Sequence, residues 1–260
     1  MSLVAYLAIV LVVWVVITLP EGRLRSFMYA LPIPMSIAIL ASPATPDGTQ
    51  LLGIPLLVAF FLSVALTESR LGRLGAVLCS LAGVVALGGA VNRWVELIWP
   101  SAYGWAAVLW LMGVIGARLI PPDPPTAPGA APVAPETAGP RTGSAQWPHL
   151  RSGVATRLYT LGSALIATAV SFSFGTWLGP FVVTFPYSGV PVALLLQGSV
   201  REFAKDFASR SILLTLFLGV FHEASRYVEA PLALAVAWGV YLAGSGLAAF
   251  LRLVWKRRDL

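Results

Sequence analysis

The chain has 260 residues, of which 58% are hydrophobic and only 11% are charged. A soluble domain carries roughly 25% charged residues, so too few charges remain here to cover a surface that faces water. The apolar residues come in long runs, and runs of about 18 or more indicate helices that cross a membrane. The short alternating strands of a membrane β-barrel do not fit this pattern. The sequence therefore predicts an all-α integral membrane protein.

Charge and cysteine content argue against several other classes of protein. The net charge is +6, but the basic residues lie between apolar runs, where they set orientation in a membrane. Cys79 is the one cysteine, so the chain cannot form an internal disulfide. The sequence contains no HExxH pair, phosphate-binding glycine loop or GxSxG nucleophile motif. We expect no nucleic-acid partner, no cofactor, no metal and no enzymatic activity.

Nine apolar spans are predicted along the chain. The first lacks a basic segment before it and a small-residue cleavage site after it, so we expect a retained helix rather than a signal peptide. After the fifth span, residues 121–154 are rich in proline, which blocks helices and sheets, and this stretch is predicted to be a disordered linker. The predicted spans are Val4–Leu19, Phe27–Ser42, Leu51–Thr67, Leu74–Val91, Tyr103–Ile120, Leu158–Trp177, Phe181–Gln197, Phe207–Phe221 and Pro231–Leu253.

The basic residues are divided unequally between alternate loops. With nine spans, only Arg93 and Arg226 of the 17 lysines and arginines fall on one side of the membrane. Positive charge marks the cytoplasmic side. We therefore predict that the N-terminus is outside and that the C-terminus and the proline-rich linker are cytoplasmic. The mixed charges at 202–210 are expected to form a solvated helical turn on the cytoplasmic side.

Two parts of the chain resemble each other. Residues 27–40 and 181–194 both contain a proline-broken stretch, and the following spans end in TESR at 67–70 and HEASR at 222–226. The odd number of spans before the second copy inverts it, and inverted repeats are typical of secondary transporters. Chance likeness between apolar helices is the alternative explanation. The predicted organisation is a first four-helix repeat (1–97), a connecting helix (98–120), the linker (121–154) and a second four-helix repeat (155–260).

A short approach to a Phe–Pro pair opens the second repeat's broken span. It consists of Gly179-Pro-Phe-Val-Val-Thr-Phe185-Pro186. In this segment and in its hydropathy, the second half resembles the GlpM-like family of small bacterial membrane proteins, which are chains of four spans. The first half resembles a more diverged copy, with Leu31-Pro32 in place of Phe–Pro. The resemblance implies a duplicated and fused protein of the bacterial cytoplasmic (inner) membrane, and it leaves the biochemical function open.

The two proline-broken spans form the candidate substrate-binding site. Each proline removes a backbone donor and frees a carbonyl about one turn earlier. Inside a membrane, such backbone is tolerated only where it is buried in protein or lines a cavity. A kink that serves only packing is the alternative. The candidate substrate-binding residues are Pro32, Pro34, Ser36, Thr184, Pro186, Tyr187 and Ser188.

Charged residues at the ends of two corresponding spans are candidates for gating or for contact with lipid headgroups. Glu68 lies near Arg70 in the first copy, and Glu223 lies near Arg226 in the second. Residues three apart share a helix face, so the second pair is expected to interact. An interfacial ion pair without function is the alternative. The candidate gating or interfacial residues are Glu68, Arg70, His222, Glu223 and Arg226.

The leading functional hypothesis is a transporter or flippase of a small or lipid-linked solute. The middle of each span lacks a strongly ionisable residue, which favours a neutral, amphipathic or lipid-like substrate. A structural or assembly subunit of a membrane complex is one alternative. A lipid-acting membrane enzyme built on His222, Glu223 and Arg226 is the other. Membrane lipids and an unknown solute are the expected partners, and a homodimer remains open.

Overall fold

A computed structural model of the chain describes residues 3–19, 23–41, 48, 50–94, 99–121, 161–163, 165, 166, 169, 189–196 and 199–258. Every element bounded within these residues is an α-helix. The helices are α1 (Leu3–Thr18), α2 (Arg23–Ala30), α3 (Ile33–Ala41), α4 (Gln50–Trp94), α5 (Trp99–Leu119), α6 (Gly189–Leu195), α7 (Val200–Arg210), α8 (Ile212–Ser225) and α9 (Ala230–Arg258).

Several helices are long and apolar enough to cross a membrane, whose hydrocarbon core needs about 20 residues. The described residues include four such stretches, at Gln50–Val91, Pro100–Leu119, Val200–Ser225 and Ala230–Leu251. The chain is therefore a helical membrane protein, as its composition predicts. The predicted linker and most of the sixth span lie outside the described residues, so the number of nine spans stays a prediction.

Helix α4 is a hairpin of two antiparallel arms rather than one straight helix. Its backbone leaves the helical conformation at Gly72, where φ is 68° and ψ is 166°. The hydroxyl of Ser80 donates to that of Ser63 at 2.9 Å, whereas a straight helix would hold these residues about 25 Å apart. A Cβ on Gly88 would similarly lie 3.9 Å from Leu56 Cδ1. The two arms correspond to the third and fourth predicted spans.

This hairpin is testable by disulfide formation. In a Cys79→Ser background, Ser63→Cys and Ser80→Cys together are expected to form a disulfide under mild oxidation, because their side chains already touch. Thiol mass-tagging of the denatured protein would show the loss of both free thiols. Ser63→Cys with Leu87→Cys is the control pair, since Leu87 is exposed on the second arm, and it should keep its thiols. Persistence of both thiols in the first pair would contradict the hairpin.

The centre of the core is an aromatic cluster where α2, the first arm of α4 and α7 meet. Tyr29, Phe61, Phe203 and Phe207 are all buried. Tyr29 and Phe61 each pack against both α7 rings with centroids 5.0–5.5 Å apart. Such aromatic pairs contribute about 0.5–1.5 kcal/mol each beyond the burial of their surface. The cluster joins the first half of the chain (1–97) to the second half (155–260).

Helix α7 differs from the expected solvated turn at 202–210. It is an amphipathic helix capped at its N-terminus by Ser199, whose hydroxyl accepts from the Glu202 N–H at 3.2 Å. One face is buried, because Phe203 and Phe207 recur at helical spacing and pack into the aromatic cluster. The charges occupy the other face. The helical part of the expectation is confirmed, and full solvation of the segment is wrong.

Candidate functional site

The broken second span lies at the junction of α2 and α3. Helix α2 ends at Ala30 and α3 begins at Ile33. Pro34 has no N–H to donate to the Ala30 carbonyl, which lies four residues earlier. The Pro32 carbonyl accepts from the Ser36 N–H at 2.8 Å and from the Ser36 hydroxyl at 2.7 Å. The carbonyl of Ala30 therefore needs a donor from elsewhere in the protein.

Helix α9, from the other half of the chain, supplies that donor. The hydroxyl of Tyr241 donates to the Ala30 carbonyl at 2.8 Å, and both residues are buried. One turn away, the indole N–H of Trp238 donates to the Ser36 hydroxyl at 3.0 Å. Phe217 of α8 packs edge-on against the Trp238 and Tyr241 rings, with centroids 6.0 and 6.4 Å apart. We call these five residues, Ala30, Ser36, Phe217, Trp238 and Tyr241, the break site.

The side chains of the break site are neutral. They offer two hydroxyls, one indole N–H and apolar ring faces, and two backbone carbonyls lie beside them. This chemistry suits hydrogen bonding to an uncharged group and contact with an apolar one. Across the part of the chain that the structure describes, no group of three His, Cys, Asp or Glu is placed to hold a metal ion.

The structure places only part of the predicted site. Pro32 and Ser36 are buried, and Pro34 lies in the first turn of α3. The second-copy candidates Thr184, Pro186, Tyr187 and Ser188 lie outside the described residues.

The part of the seventh span that is described starts immediately after those residues. At Gly189, an added Cβ would lie 3.0 Å from Leu57 Cδ1 and 3.1 Å from the Tyr29 hydroxyl. These distances are so short that any side chain larger than that of glycine at position 189 would require Leu57 and Tyr29 to shift. The start of α6 therefore packs tightly against α2 and the first arm of α4, next to the aromatic cluster.

Sequence reasoning missed Trp238 and Tyr241. Both lie in the last apolar span, where a Trp and a Tyr look like ordinary lipid-facing or interfacial residues. Their spacing of three residues puts them on one helix face. This spacing was the one feature of the sequence that could have indicated a shared role for them. Their partners are more than 200 residues away along the chain, so no local pattern identifies the contact.

Three of the predicted gating residues take part in ion pairs. Glu68 pairs with Arg73 at 2.8 Å, and Arg70 is exposed. The partner of Glu68 is thus Arg73 rather than the nearby Arg70, because the chain reversal at Gly72 returns Arg73 over the end of the first arm. The expected pair between Glu223 and Arg226 is confirmed at 3.3 Å. It is exposed to solvent, so it contributes at most about 1 kcal/mol.

An open depression of about 630 Å³ lies beside the Glu223–Arg226 pair, between the ends of α8 and α9. The hydroxyl of Ser225 at its edge donates to the backbone carbonyl of His222 at 2.8 Å. This hydroxyl therefore caps the end of α8 rather than pointing at the His222 ring as a nucleophile would. The depression is lined by Ser225, Arg226, Tyr227, Val228, Glu229, Pro231 and Leu232.

Comparison with known proteins adds no family assignment. No family model, no curated protein and no solved structure matches the chain. The fold defines the class as helical membrane protein, and the resemblance to the GlpM-like family stays a prediction from sequence.

Proposed function

We propose that this protein is a transporter or flippase that moves a neutral small or lipid-linked solute through the break site. The observation that carries the proposal is the buried Ala30 carbonyl, which Pro34 cannot satisfy and which Tyr241 of the other half does satisfy. Irregular backbone at membrane depth is tolerated where it is buried in protein or lines a cavity. Transporters place their substrate sites at broken helices between two halves. A bacterial cytoplasmic membrane is the proposed location.

Two inverted four-helix repeats are part of this proposal, and reciprocal packing supports them. In the first half, α2 packs against α7 of the second half through Tyr29 and Phe207. In the second half, α6 packs against the first arm of α4 through Gly189 and Leu57. In the alignment of the two copies, α2–α3 corresponds to α6, and the first arm of α4 corresponds to α7–α8. Each broken span therefore packs on the third span of the other half.

The relative direction of corresponding helices gives further support. Phe61 packs against Phe203 and Phe207, whereas Ala65, one turn later in α4, accepts a hydrogen bond from Arg201. Residue numbers therefore rise along α4 as they fall along α7, which makes the two helices antiparallel. Inverted repeats require their corresponding helices to run in opposite directions.

The chemistry of the break site favours a neutral solute. Its polar groups form hydrogen bonds with each other in the described conformation. A hydroxyl or carbonyl of a solute would replace one partner in such a hydrogen bond. Such an exchange is nearly balanced, because a neutral hydrogen bond contributes only about 0.5–1.5 kcal/mol net. An ion would instead have to exchange its hydration for contacts with neutral side chains, which costs far more.

Thiol labelling tests the proposal. In a Cys79→Ser background, Ser36→Cys would be probed with a membrane-impermeant thiol reagent from each side. We expect labelling from both sides, because alternating access wets the break site in turn. Ser80→Cys is the matched control, since Ser80 is also a buried serine but is held inside the α4 hairpin. It should stay unlabelled. A Ser36→Cys that reacts from neither side would contradict transport through this site.

A structural or assembly subunit is the second candidate, and the outer helices favour it. In α5 and in α9, only 17% of the apolar spanning window is buried inside the protein. Large side chains such as Trp105, Met112 and Phe250 face outward, where they meet lipid or another membrane chain. This alternative predicts co-purification with a larger complex and tolerance of substitutions at Ser36 and Trp238.

A further inference from the structure

Two arginines tie the halves of the molecule together, each by bonding to the backbone of the other half. Arg73, in the turn of the α4 hairpin, donates to the carbonyl of Leu196 at the end of α6. The same guanidinium pairs with Glu68 at 2.8 Å. Arg201, at the start of α7, donates through Nε to the carbonyl of Ala65 at 3.3 Å. The contacts are therefore reciprocal between the first and second halves.

Two further contacts join the halves farther along α7. The hydroxyl of Ser26 in α2 donates to the carboxylate of Asp206 in α7 at 3.3 Å. The guanidinium of Arg210 lies over the Phe27 ring, 5.6 Å from its centroid, in a cation–π contact. Arg73 and Arg201 come from two loop regions that charge distribution assigns to the cytoplasm. We call the end formed by Glu68, Arg73, Leu196 and Arg201 the basic face.

The opposite end has a different kind of ion pair. Glu223 and Arg226 both belong to the second half, and their side chains are 50% and 61% exposed. This pair stabilises a helix end and does not join the halves. By comparison, the side chains of Arg73 and Glu68 are 28% and 27% exposed. Partial shielding from water makes the charged contact on the basic face the stronger of the two.

We propose that Arg73 and Arg201 form a latch that holds the two halves together at the basic face and must release before solute passes on that side. The inference rests on the proposed transport function. Arginine suits the task because its planar fork can donate to two acceptors at once, as Arg73 does with Glu68 and the Leu196 carbonyl.

Labelling from the basic face tests the latch. In the Cys79→Ser, Ser36→Cys background, Arg73→Gln and Arg201→Gln are each expected to raise the labelling rate from that side by about tenfold or more, because each weakens the closed state by a charge-assisted bond. Labelling from the opposite side should not rise. Arg226→Gln is the matched control, since its ion pair lies within one half. It should leave the basic-side rate unchanged.

Lysine variants keep the test decisive if a glutamine variant fails to fold. Arg201→Lys retains the charge but loses the Nε–H that bonds to Ala65. It should raise the basic-side rate by a smaller factor than glutamine, and Arg73→Lys should do the same. Unfolded variants are recognised by their thermal unfolding curves and by labelling of the buried Ser80→Cys control.

The outcomes separate the latch from the transport proposal. An unchanged basic-side rate in the arginine variants, with Ser36→Cys still reactive, overturns the latch and leaves the transport site standing. An equal rise on both sides also overturns the latch, because it shows general loosening rather than the opening of one face. A Ser36→Cys that reacts from neither side in any variant overturns both proposals.

Discussion

Tyr241→Phe is expected to lower the free energy of unfolding by about 1–3 kcal/mol, because it leaves the buried Ala30 carbonyl without a donor. The phenyl ring keeps the packing against Phe217, so the loss reports the hydrogen bond. Denaturant titration of the purified protein in mixed micelles would measure it. Tyr227→Phe is the control, since Tyr227 is 83% exposed. It should change stability by no more than about 0.5 kcal/mol.

Pro34→Ala offers a rescue of the same defect. It restores an N–H four residues after Ala30, so the carbonyl gains a backbone donor in place of the phenol. The double variant Pro34→Ala, Tyr241→Phe is therefore expected to recover part of the lost stability while it straightens the broken span. Labelling at Ser36→Cys should fall in that variant if the break forms the site. Equal stability of Tyr241→Phe and the wild type would show that the Ala30 carbonyl has another donor.

Gly72→Ala is expected to destabilise the protein by about 1–3 kcal/mol through the backbone alone. The φ of 68° and ψ of 166° at Gly72 fall in a region that only glycine occupies readily. A Cβ at this position would meet nothing within 4 Å, so side-chain crowding makes no contribution. The alanine has to keep a strained backbone or shift the α4 turn, and a shift would also move Arg73. Thermal unfolding and denaturant titration would measure the loss.

Gly83→Ala is the matched control for this prediction. Gly83 lies in the second arm of the same hairpin, and a Cβ there would also meet nothing within 4 Å. Its backbone has no positive φ, so alanine is expected to stabilise the helix by up to about 1 kcal/mol. The two substitutions differ only in the backbone conformation of the site. Similar effects from both would contradict a chain reversal at Gly72.

Local properties of the sequence determined the membrane class and much of the helix order. Hydropathy is a sum over neighbouring residues, and it predicted two separate spans at 51–67 and 74–91. In the structure, the chain reverses between these two spans, at Gly72. The break at Pro32 and Pro34 was predicted for the same reason, since a proline lacks its N–H in any context. The Glu223–Arg226 pair follows from the three-residue spacing on one helix.

Tertiary structure alone decided which groups meet at the break and at the basic face. The donors to Ala30 and Ser36 come from Tyr241 and Trp238, and apolar spans of similar composition give no register between distant helices. The partner of Glu68 is Arg73 rather than Arg70, because a positive φ at one glycine redirects the chain. Hydropathy is a property of about 20 consecutive residues and a proline acts within one turn of helix, whereas these contacts depend on how helices far apart in sequence pack against each other.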